Sequence, residues 1–186
     1  MKAVTWHGRR DMRVEDVPDP SIKEPDDAII KITSSGLCGS DLHLYEVFGP
    51  FMGEGDILGH EPIGVVEEVG SDTGDLKVGD RVVIPFQMSC GSCFFCDQRL
   101  YTQCETTQVK EYGTGAALFG FSKLYGQVAG AQAEYLRVPQ AHFGPILSET
   151  VFLNIKDEIS ELKPWHCTTL IAKNPAPLQA RSPTQK

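Results

Sequence analysis

A chain of 186 residues and 20.4 kDa is long enough for one folded domain, hiding roughly two-thirds of its extended surface without disulfide staples. With 41% apolar and 23% charged residues it is neither disordered nor fibrous, and a net charge of −8 argues against a nucleic-acid or anionic-membrane partner. No apolar run reaches the roughly 18 residues of a membrane span, and Met1 to Arg10 hold no apolar signal core. The expectation is a cytoplasmic domain whose six cysteines serve metal binding or catalysis.

Ala28–Ile32, Gly64–Val69 and Arg81–Ile84 are short, β-branched and bounded by Gly, Pro or Asp, the pattern of strands joined by turns. A helix is predicted near Ser40-Asp41, with either residue as its cap. Val78-Gly79-Asp80-Arg81 reads as a tight turn feeding a strand, and Ala133–Pro139 as a half-buried strand. Many short strands without long helical patterns between them predict a mainly β, barrel-like fold with short helices.

Composition changes near residue 146. All 18 glycines lie at or before Gly144, whereas the last 42 residues hold five of the twelve prolines. Ile155, Ile159 and Leu162 have helical spacing, so residues 147–186 are expected to form a separate tail, with one short helix over 149–163 and a loose end beyond Asn174.

Cys90, Cys93, Cys96 and Cys104 form C-x2-C-x2-C-x7-C, in a lobe spanning about residues 88–106. Thiols at every third residue close around one ion only where the loop turns back, and Gly91 supplies that freedom. Four thiolates make a closed, structural zinc site. An iron–sulfur run would close after three residues and continue with Pro, but Glu105 follows Cys104 here.

Gly36-Leu37-Cys38-Gly39-Ser40-Asp41-Leu42-His43 and Gly59-His60-Glu61-Pro62 form the second constellation. Cys38 and His60 offer one thiolate and one imidazole, two of the three protein ligands that an open zinc site takes. Ser40 and His43 follow Cys38 closely enough to carry a proton away, and Asp41 can accept a hydrogen bond from a ligating His60. Spacing alone leaves equally open that Cys38 is an inert thiol and His43 a surface residue.

Together these motifs resemble the catalytic, GroES-like domain of the zinc-dependent alcohol dehydrogenases of the medium-chain dehydrogenase/reductase superfamily. The match covers about residues 1–146, from Met1-Lys2-Ala3-Val4 through both cysteine motifs to Ala133-Glu134-Tyr135, and is nearest the formaldehyde, threonine and polyol dehydrogenase branch. The resemblance implies that Cys38 and His60 bind a catalytic zinc, with Glu61 an occasional alternative ligand. It also implies that Ser40 takes the alcohol proton and His43 passes it on. Phe86 would line the substrate pocket, the alternative being a core aromatic. The implied reaction is hydride transfer between an alcohol or aldehyde and NAD(P), zinc acting as Lewis acid, in a homo-oligomer.

The nucleotide-binding half of that family has no counterpart here. In Gly113-Thr114-Gly115…Gly120 the later glycines are five positions apart rather than three, and no strand–turn–helix context follows, so this is no dinucleotide fingerprint. Cys167 and Asp157 are weak candidates for the family's third zinc ligand. The change near residue 146 predicts truncation or a shifted reading frame, which leaves a second reading: a zinc-stabilised module without catalysis of its own.

Overall fold

The computed structural model describes residues 1–148, so the expected tail helix, Asp157 and Cys167 lie outside the described residues. Among the described residues, eight strands form two antiparallel sheets. β1 (Lys2–Gly8) and β2 (Asp11–Asp16) make a hairpin, and β4 (Asp56–Ile57) pairs with the other edge of β1. The second sheet runs β7 (Tyr135–Val138), β3 (Ala28–Ser35), β5 (Pro62–Val69), β6 (Arg81–Val83), β8 (Ile146–Leu147) in spatial order. Residues 130–134 tie the sheets together: the Val4 amide donates to Gln132 O at 2.8 Å, and the Glu134 amide to Lys2 O at 3.1 Å.

Alternation builds the core. On β5, Pro62, Gly64 and Val66 are buried while Ile63 and Val65 between them are half-exposed, the period of two that a pleated strand imposes. Pro62 is tolerated because it is the first residue of its strand. Val66 joins Ile30, Val82, Ile84, Phe119, Leu136 and Val138 in one buried cluster, each worth about 1.5–3 kcal/mol relative to exposure. Trp6, Leu44 and Leu58 form a smaller cluster, and the Trp6 indole donates to Leu44 O at 3.2 Å.

The mainly β, barrel-like expectation holds, with helix limited to α1 (Gly39–Glu46), α2 (Phe94–Asp97) and three 3-10 turns among the described residues. All four strands expected from the sequence are present, although β3 runs on to Ser35 and β7 begins only at Tyr135. The cap of α1 differs from expectation. Cys38, with extended backbone, occupies the N-cap position, and Asp41 sits in the first turn rather than before it. The Asp41 carboxylate accepts the otherwise unpaired Cys38 amide at 2.8 Å, which a cap at Ser40 or Asp41 could not satisfy.

Candidate metal centres

Register brings the second constellation together. β3 and β5 run antiparallel with Ser35 opposite Pro62, so the chain leaving β3 and the chain entering β5 travel side by side. The Gly36 amide donates to Glu61 O at 3.0 Å, extending the pairing one step. Cys38 follows on one segment and His60 precedes on the other, and α1 begins at once, turning Ser40 inward.

His60 is held from behind by bare backbone. Gly59 has φ +98°, and a side chain there would overlap the Gln132 amide. The Leu58 and Gly59 carbonyls accept from Gln132 and Ala131 at 2.8 and 2.9 Å, and Gly120 abuts the Gly59 backbone too closely for any Cβ. The Phe121 ring stands edge-on to the imidazole, with centroids 6.4 Å apart.

Cys38, His60 and Glu61 each offer a ligand atom, all within 4.8 Å of one another. His60 is 8% exposed, and its two nitrogens have different neighbours. Nδ1 faces Asp41 Oδ1 at 3.6 Å, and Nε2 lies 3.0 Å from Ser40 Oγ. With its proton on Nδ1, the ring presents a lone pair at Nε2, which is what a metal requires. The donor set of one thiolate, one imidazole and one carboxylate fits zinc, with a fourth position left for another group. His43 lies one helical turn beyond Ser40 on α1 and is exposed.

The other four cysteines also converge. Cys90, Cys93, Cys96 and Cys104 hold their sulfurs within 4.8 Å of one another, and none is in a disulfide. Cys90 Sγ is 4.0 Å from Cys96 Sγ, and Cys93 Sγ is 3.9 Å from Cys104 Sγ. A tetrahedron of sulfurs about 2.3 Å from zinc has edges of about 3.8 Å, so this set fits zinc closely. Gly91 turns the loop with φ +75° and packs its bare Cα against the Phe143 ring, as its place in the motif predicts. Burial alone would raise the Cys90 thiol, but the Thr106 hydroxyl and the Ser92 and Cys93 amides outweigh it and bring the thiol down to about 6. Burial, reinforced by Cys93 and Cys104, pushes Cys96 up to about 12. Four crowded thiols resist ionising together, and a divalent cation removes that conflict.

The remaining sequence candidates separate. The Phe86 ring is 39% exposed, which rules out the core-aromatic alternative. The segment Gly113–Gly120 forms turns and isolated bridges rather than a strand–turn–helix, so its rejection as a dinucleotide fingerprint holds. Sequence reasoning missed Thr106 as a partner of Cys90 Sγ at 3.2 Å; its position two residues past the last thiol was the available signal.

Two antiparallel sheets joined through residues 130–134, carrying one four-thiol cluster and one Cys–His–Glu cluster, have the makings of a GroES-like domain. Residues 24–148 match the family model of the alcohol dehydrogenase GroES-like domain. The chain therefore belongs to the zinc-type alcohol dehydrogenases of the medium-chain dehydrogenase/reductase superfamily. It is 54% identical over 143 residues to an uncharacterised zinc-type alcohol dehydrogenase-like protein of Bacillus subtilis, covering 77% of this chain and 37% of that one. It is 40% identical over 148 residues to formaldehyde dismutase of Pseudomonas putida, covering 76% and 36%. Among solved structures it is similar to the alcohol dehydrogenase of Thermus sp. ATN1, with TM-score 0.71 and 37% identity over 79% of this chain and 40% of that one. The chain thus spans little more than a third of the length of the curated relatives it matches.

Proposed function

We propose that residues 1–146 are the catalytic domain of a zinc-dependent oxidoreductase that interconverts an alcohol and its aldehyde or ketone with NAD(P). The observation that carries this reading is the placement of Ser40 Oγ 3.0 Å from His60 Nε2, a hydroxyl beside the imidazole atom that would hold the metal. Cys38, His60 and Glu61 would hold a zinc ion, which would supply Lewis acidity toward the substrate oxygen, and hydride chemistry would come from a nicotinamide.

The chain's own residues do the rest. Asp41 orients His60 and pins Cys38 through its amide. Ser40 Oγ receives the hydroxyl proton of the substrate, and exposed His43, one turn further along α1, returns it to solvent. Cys90, Cys93, Cys96 and Cys104 hold a second zinc that stabilises the lobe and does no chemistry, since four protein ligands leave no open position. The free state of the five described cysteines supports a reducing compartment such as the cytoplasm. No helix among the described residues is long and apolar enough to cross a membrane.

The test is zinc per chain, measured on protein purified without added metal. Two per chain are expected, and Cys38→Ala should remove one while leaving the other. Cys96→Ala should instead loosen the lobe. One zinc in the parent chain would leave only the structural module, and none would sink both centres.

A further inference from the structure

The lobe sulfurs are met by backbone amides and neighbouring thiols, Cys90 through the Ser92 and Cys93 amides and Cys96 Sγ. Cys90 also receives side-chain hydroxyls. Its sulfur accepts the Thr106 hydroxyl at 3.2 Å, with Ser92 Oγ more distant at 3.8 Å. Thr106 belongs to a different limb of the lobe, beyond Cys104, so the bond joins the first thiol of the motif to the chain that follows the last. A second tie runs the same way: the Cys90 amide donates to Cys104 Sγ at 3.4 Å.

The next residue anchors that limb to the barrel. Thr107 Oγ1 donates to Met88 O at 2.9 Å and accepts the Ala117 amide at 3.3 Å. Met88 and Ala117 are themselves paired, the Met88 amide donating to Ala117 O at 2.9 Å, where the lobe leaves the barrel. Adjacent hydroxyls therefore face opposite ways: Thr107 clamps the base of the lobe, and this fixes Thr106 over the sulfur.

We propose that Thr106 is a positioning residue of the four-cysteine centre, its hydroxyl holding Cys90 in the ligand set and guarding that sulfur from solvent. The proposal rests on the zinc reading of the lobe. Thr106 is exposed as a residue, yet its hydroxyl is turned onto a cysteine that is 5% exposed. It thus caps a buried ligand from the solvent side, whereas Cys93 is the half-buried thiol of the four. A hydroxyl donor steadies a thiolate that bears metal, and loss of such outer partners typically weakens metal binding by about 10–100-fold.

The experiment compares Thr106→Val and Thr106→Ser in the full chain carrying Cys38→Ala, so that released zinc reports the four-cysteine centre alone. Zinc transfer to the chromophoric chelator 4-(2-pyridylazo)resorcinol is followed over time, with circular dichroism verifying the fold. Thr106→Val keeps the branched shape at an exposed position and loses the hydroxyl, and zinc should leave on the order of 10-fold faster. Thr106→Ser keeps the hydroxyl and should release zinc at nearly the parent rate. Equal rates for Thr106→Val and the parent overturn the proposal. So does a Thr106→Ser variant as fast as Thr106→Val, which would assign the effect to the methyl group. A parent protein that holds no zinc in the Cys38→Ala background defeats the lobe reading itself, and the proposal with it.

Discussion

Asp41 Oδ1 lies 3.6 Å from His60 Nδ1, and both atoms are buried without a hydrogen-bond partner. The other oxygen of the same carboxylate accepts the Cys38 amide at 2.8 Å. One side chain therefore touches two candidate ligand residues that are 22 positions apart in the chain. A carboxylate accepts hydrogen bonds only, so it favours the proton on Nδ1 and frees Nε2 for a metal.

Asp41→Asn tests that reading directly. An amide whose oxygen keeps the Cys38 hydrogen bond turns its NH2 group toward Nδ1 and favours the wrong tautomer. Zinc affinity at the Cys38–His60–Glu61 centre should fall by about 10–100-fold while the four-cysteine zinc is retained. Competition titration with a chelator of known affinity reads this as the loss of one of two tight sites. Two unchanged sites would remove Asp41 from the metal centre.

A second buried carboxylate has a structural task. Asp27 is fully buried, and its Oδ2 accepts the Lys23 and Glu24 amides and the Arg137 guanidinium, the last at 2.7 Å. Burial works to raise its pKa, but the guanidinium and the two amides win and hold it below the usual carboxylate value of about 3.9. A depressed folded pKa gives stability that is present above about pH 4 and lost as pH falls through the folded value. Arg137→Met leaves the charge buried without its partner and should cost about 3 kcal/mol near neutral pH. Urea midpoints of the two proteins should then converge at a pH low enough to protonate Asp27 in both. A gap that persists unchanged at that pH would assign the loss to packing by the arginine stem.

Gly59→Ala addresses the backing of His60. The added methyl meets the Gln132 amide in a left-handed conformation, so the segment must move. The expected cost is about 1–3 kcal/mol in stability, with loss of zinc from the neighbouring centre and retention in the lobe. Calorimetry and zinc analysis on the same sample separate the two effects. Full zinc content in the variant would show that His60 tolerates displacement of its supporting turn.

The four-cysteine centre was readable because its ligands lie within one short loop, where spacing and one glycine nearly determine the geometry. The second centre was not readable in the same way. Strands were expected around Ile30 and Val66, but nothing in their periodicity says that Ser35 faces Pro62, and that register is what joins Cys38 to His60. Family resemblance supplied the pair instead. It gave Glu61 as an alternative ligand, and the Glu61 carboxylate lies within reach of Cys38 and His60. The β1–β2 hairpin escaped notice because β2 reads Asp-Met-Arg-Val-Glu-Asp and buries little apolar surface. The cap of α1 was misplaced because Cys38 lacks the oxygen usual at that position, and the donor–acceptor match depends on Asp41 reaching backward.

The crossing of Gly59, Gly120 and Gly130 also governs the order in which the molecule can mature. A Cβ at Gly130 would strike Leu58, just as one at Gly120 would strike Gly59, so three remote stretches of chain interlock without side chains between them. That interlock forms only after distant loops have closed, whereas the thiols from Cys90 to Cys104 can gather within a single loop. The four thiols can gather while the barrel is still open; the Cys38–His60–Glu61 cluster needs β3 and β5 paired first. A metal at the second centre would thus seal a finished fold, and one in the first would be among its starting points.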